Sequence, residues 1–80
     1  MVDPDLITAV EQQLSSPDTP YVARCHERLI AEHNLPSEEA VEMIAHCLAD
    51  ELDTLQSEQR DFNVARYQLL LGLLPTMPEA

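Results

Sequence analysis

The chain has 80 residues, 45% of them hydrophobic, which fits one globular domain and leaves no room for a second. Fifteen Asp and Glu face four arginines (Arg24, Arg28, Arg60, Arg66), with no lysine, for a formal net charge of −11. A surface this acidic repels phosphate backbones and anionic lipid, so no direct nucleic-acid or membrane-surface binding is expected, and it suits a basic protein partner or divalent cations.

Asp3-Pro4 opens a helix, with an acceptor at the cap and proline at the first position, where its missing N–H costs nothing. Leu6, Ile7, Val10 and Leu14 continue it as an apolar stripe, giving a first helix over about 4–15. Ser15 to Pro20, with two prolines, breaks the pattern, and Thr19-Pro20 repeats the start signal. A second helix over about 20–33 carries the stripe Val22, Cys25, His26, Leu29, Ile30 and His33. Asn34 suits a left-handed terminus and Pro36 forbids continuation, so a three-residue linker folds the next helix back as a hairpin.

That third helix, about 37–57, has the clearest period. Val41, Ile44, Ala45, Leu48, Leu52 and Leu55 form one stripe, with Ser37 as the expected cap and Glu38 and Glu39 in the first turn. Its other face is acidic: Glu39, Glu42, Asp50 and Asp53, with His46 among them. Asn63, with Asp61 as the competing choice, is the expected cap of a fourth helix over about 64–73, with Phe62 and Tyr67 spaced as a hydrophobic staple. Val64, Tyr67, Leu70, Leu71 and Leu74 make its inner stripe, while Leu69 and Leu73 lie on another side. Residues 75–80 read as a short extended tail. The expected fold is an all-α four-helix domain spanning 1–80. Its surplus leucines are expected to meet a second subunit in a homodimer, twofold symmetry being the commonest closure.

Ser16-Pro17, Thr19-Pro20-Tyr21-Val22, Arg28-Leu29, Glu39-Ala40, Ile44-Ala45, Leu48-Ala49-Asp50-Glu51, Arg60, Phe62, Arg66-Tyr67, Leu70 and Leu74-Pro75 run from about 15 to 76. In these residues the chain resembles short bacterial helical proteins and domains of unknown function. The resemblance implies a compact bacterial domain and carries over no catalytic residue.

The remaining residues set the functional expectations. The N-terminus has no basic segment followed by an apolar run, and no stretch approaches the roughly 18 apolar residues of a membrane helix, so a cytoplasmic protein is expected. Two cysteines make no disulfide framework. A metal site from Cys25, His26 and Cys47 is the alternative reading, since thiolate and imidazole suit zinc; the Glu42–His46–Asp50 row is a second candidate. The absence of any Cys-x-x-Cys or His-x-x-x-His spacing weighs against it, and no cofactor is expected. Glu51, beside the apolar stripe, calls for an arginine, which Arg24, Arg28, Arg60 or Arg66 could supply in two-pronged form, with Arg28 and Arg66 as the expected partners in a structural ion pair. No nucleophile elbow or phosphate-binding loop is present, so the expectation is a non-enzyme. The reading that results is a protein-protein interaction module using Leu69 and Leu73 or the acidic Glu42, Asp50 and Asp53.

Overall fold

A computed structural model describes residues 3–76, and the expected tail beyond Thr76 lies outside the described residues. Four helices follow in order: α1 (Pro4–Leu14), α2 (Pro20–His33), α3 (Ser37–Glu58) and α4 (Val64–Leu73). No strand occurs among the described residues, and the domain is all-α as expected.

The start and stop signals act locally for the most part. The Asp3 side chain accepts the Asp5 N–H at 2.8 Å, and the Asn63 side chain accepts the Arg66 N–H at 3.0 Å. Asn34 closes α2 in the left-handed region at φ 59°. Thr19 precedes α2 but makes no cap bond; its hydroxyl donates instead to the Gln13 carbonyl at 2.9 Å, tying the α1–α2 turn. The expectation for Ser37 is corrected. Pro36 holds the cap position, and the Ser37 hydroxyl lies 3.0 Å from His26 Nε2, linking α2 to the start of α3.

The core explains why α3 is central. It packs against α1, α2 and α4, as α2 does against α1, α3 and α4, whereas α1 and α4 each pack on only these two. Because neighbours approach α3 from several sides, its buried arc is wider than one stripe. Ala40, Ile44, Ala45 and Cys47 are wholly buried, Val41 and Leu48 nearly so, and Leu52 and Leu55 at its far end only half so. The alanines let the neighbouring helices come close. From the other helices Val10, Val22, Cys25, Leu29, Tyr67, Leu71 and Leu74 complete the core. Tyr67 is its largest wholly buried side chain. It is packed edge-to-face by Tyr21 at 6.1 Å and Phe62 at 5.5 Å, and its hydroxyl donates to Gln13 Oε1 at 2.8 Å.

Candidate functional site

The most unusual group in the fold is Glu51. It is a carboxylate with no exposed surface, one position beyond the apolar stripe of α3. Leaving such a group uncompensated in a core is costly, and the chain supplies four donors to it. Arg60 reaches Oε2 at 2.7 Å and Oε1 at 3.1 Å, the Asn63 N–H reaches Oε2 at 2.7 Å, and Arg66 reaches Oε1 at 3.0 Å. The Arg60 fork, helped by the Asn63 N–H and Arg66, outweighs burial and holds the Glu51 carboxyl down at about 2. In the same exchange the Arg60 and Arg66 guanidiniums are pushed up, Arg60 first by Glu51 and Arg66 first by Asp50.

The neighbours extend this cluster. Arg66 also donates to Asp50 Oδ1 at 2.6 Å, and Arg60 donates to Glu58 Oε1 at 2.5 Å and to the Asp61 carbonyl at 3.0 Å. Among the described residues, every buried side-chain nitrogen and oxygen has a partner. The cluster therefore ties the end of α3, the loop through residues 59–63 and the first turn of α4 into one unit. Gln59, in the left-handed region at φ 53°, turns the chain back so that Arg60 reaches Glu51, with the Arg60 N–H on the Leu55 carbonyl at 3.1 Å. A carboxylate that is ionised and saturated with donors is built to hold structure, not to exchange protons near neutral pH.

Two sequence expectations change here. Arg28 is not a partner of Glu51. It lies on α2 and donates to the carbonyls of Leu74 at 2.9 Å and Leu71 at 2.8 Å, satisfying the C-terminal end of α4, where the helix dipole favours a cation. Glu51 lies toward the opposite end of α4, so one arginine cannot serve both. Replacing Arg28 with methionine, which keeps the aliphatic stem, should cost about 2 kcal/mol through two lost charge-assisted bonds. Hydrogen exchange in the last turn of α4 should quicken before the rest of the domain; uniform quickening would contradict a local role. Asp50 is the second change. It is half-buried, held by Arg66 and Thr54, and so is not the free outward acid its spacing suggested.

Glu42 and Asp53 do face outward. Glu42 borders two shallow grooves. One, of about 270 Å³, has Ile7 and Val41 along its floor with Glu11, Glu38 and Ser37 around it; the other contains Glu39, Met43 and His46. The Glu42–His46–Asp50 row is thereby split, because Asp50 turns to Arg66. Cys25, His26 and Cys47 do not form a ligand set either. Cys47 is wholly buried and its thiol is pushed up to about 12 by burial; Cys25 is nearly buried, and burial raises its thiol against the opposing Arg28. The Cys25 thiol donates to the Leu71 carbonyl at 3.5 Å, and His26 is occupied with Ser37. Among the described residues no three His, Cys, Asp or Glu side chains are grouped to hold an ion.

The last feature is the outer face of α4. Leu69 is 66% exposed and Leu73 54%, one helical turn apart, with Ala65, Gln68 and Gly72 beside them, all open to solvent. Helix α1 lies across α2 and α3 and leaves this face uncovered. No helix among the described residues is long and apolar enough to cross a membrane.

Fold and site together define a small all-α domain with a buried carboxylate held by partly exposed arginines and an open leucine face. No protein-family model matches the chain, and no curated protein or solved structure is significantly similar to it.

Proposed function

We propose that this chain is a non-enzymatic protein-protein interaction module that works as a homodimer in the bacterial cytoplasm. The exposure of Leu69 and Leu73 carries the reading. Leu69 and Leu73 lie together on one face of a short helix, and an 80-residue fold gains from covering apolar surface that it does not bury within itself. The acidic surface supports the second half of the reading. Glu42 and Asp53 stay outward, and the α1–α3 groove offers Ile7 and Val41 among Glu11, Glu38 and Glu42 to a basic partner.

Leu69→Glu combined with Leu73→Glu should yield a folded monomer by light scattering and native mass spectrometry, with helical content unchanged. Added salt should tighten the wild-type dimer, because screening relieves repulsion between two copies of charge −11 while sparing an apolar contact. A double variant with the oligomeric state of the wild type would remove the leucine face from the proposal.

A further inference from the structure

Two of the four arginines hold Glu51. The other two, Arg24 and Arg28, make no ion pair among the described residues, on a chain with fifteen Asp and Glu. They stand four positions apart on α2, hence on one face of the helix, and both line a groove of about 230 Å³ between α2 and α4. No carboxylate lines this groove, and between Phe62 and Thr76 the chain has no Asp or Glu at all. Arg28 is held in place by the Leu71 and Leu74 carbonyls, and the negative end of the α4 dipole offsets only part of its charge. Arg24, one turn earlier, is exposed.

Beside the two cations the groove is largely apolar. The half-buried Tyr21 and the buried Leu71 form its walls, and Gly72 leaves the backbone bare on the α4 side. A Cβ built on Gly72 meets no atom within 4 Å, so the space beside it is open. Gln68 adds an amide able to donate a hydrogen bond.

We infer that the α2–α4 groove is a binding site for a small organic monocarboxylate, held by Arg24 and Arg28 at its charged end and by Tyr21 and Leu71 along its apolar body. Three features select this class. A guanidinium bonds a carboxylate in two-pronged form, and Arg24 has no carboxylate of its own among the described residues. The groove's 230 Å³ falls below the roughly 300–1,000 Å³ of sites for drug-sized ligands, which limits the body to a few carbons or one ring. The net charge of −11 opposes a polyanion at long range, so a single negative charge on an apolar body gains the local attraction at least cost. The site does not depend on self-association through Leu69 and Leu73.

The test titrates the isotope-labelled full chain with sodium benzoate at constant ionic strength, following amide and arginine Nε–H signals by NMR. Saturable shifts centred on Arg24, Arg28, Gln68 and Gly72 are expected, with a dissociation constant on the order of 1 mM for so small a ligand. Benzyl alcohol keeps the ring without the charge, and inorganic phosphate keeps charge without the ring; each should bind about tenfold more weakly or worse. Arg24→Gln should raise the benzoate dissociation constant about tenfold through one lost charge-assisted contact, with the melting temperature unchanged. An absence of saturable shifts, or equal benzoate affinity in wild type and Arg24→Gln, would overturn the site. Benzyl alcohol binding as tightly as benzoate would overturn the role of the arginines, and phosphate doing so would overturn the carboxylate class.

Discussion

Glu51→Gln is expected to lower stability by about 3 kcal/mol, the lower end of what breaking a buried ion pair costs. The lower end applies because the Arg60 and Arg66 side chains keep 25% and 31% of their exposure and can turn to water once the charge is gone. An 80-residue domain has roughly 4–12 kcal/mol in all, so the variant should keep roughly 1–9 kcal/mol and stay folded at ordinary temperature. Its melting point should fall by on the order of 15–20 °C. The pH dependence identifies the cause. The Glu51 carboxyl is held at about 2 in the fold, against an ordinary 4.5, so between those values the folded chain binds fewer protons than the unfolded one. The stability this group supplies is complete above about 4.5 and is lost as the pH falls toward about 2. Acidification also relieves repulsion among the other carboxylates, but it does so in both proteins. The gap in unfolding free energy between wild type and Glu51→Gln should therefore close through that window. A gap that stayed constant from neutral pH down to pH ~2 would show that shape, not charge, makes Glu51 matter.

Tyr67→Ala should be the most damaging single change in the core, at about 4 kcal/mol, because it empties the space of a wholly buried aromatic ring. The ring is held between Tyr21 and Phe62, so neither helix α2 nor the loop before α4 can collapse into the void without giving up its own packing. Tyr67→Phe separates ring from hydroxyl. It removes only the bond to Gln13, whose side chain is half-buried and can find water, and should cost about 1 kcal/mol. Urea unfolding of the two variants measures both. Comparable losses for Ala and Phe would place the contribution of Tyr67 in its hydrogen bond and contradict the packing account.

The two residues differ in how far the sequence announces them. Tyr67 was legible as an inner-stripe residue four positions beyond Asn63, with Phe62 as its staple, because cap chemistry and helical period are local and operate within one turn. Glu51 was legible as an acid beside an apolar stripe in want of an arginine, but its burial and the choice among four arginines were not. Arg28 and Arg66 looked equally able to reach it, and Arg60 proved to be a principal partner. Which arginine arrives depends on where the loop after α3 turns and on which end of α4 meets α2. Asp50 shows the same limit: its period places it outward with Glu42, yet the Arg66 side chain reaches across from α4 and draws it into the cluster.

The sequence by itself determined four helices nearly to the residue, their all-α class, the hairpin at Asn34 and the separation of Leu69 and Leu73 from the inner face of α4. Those features follow from proline, capping side chains and a repeat of about 3.6 residues, none of which needs a distant neighbour. Only the tertiary structure decided that α3 is covered on several sides, that Glu51 is wholly enclosed, and that Arg28 closes α4 while Arg60 and Arg66 hold Glu51. Arg28 and Arg66 reach partners far along the chain that only helix packing brings near, while Arg60 meets Glu51 through the turn at Gln59, whose direction no local signal fixes.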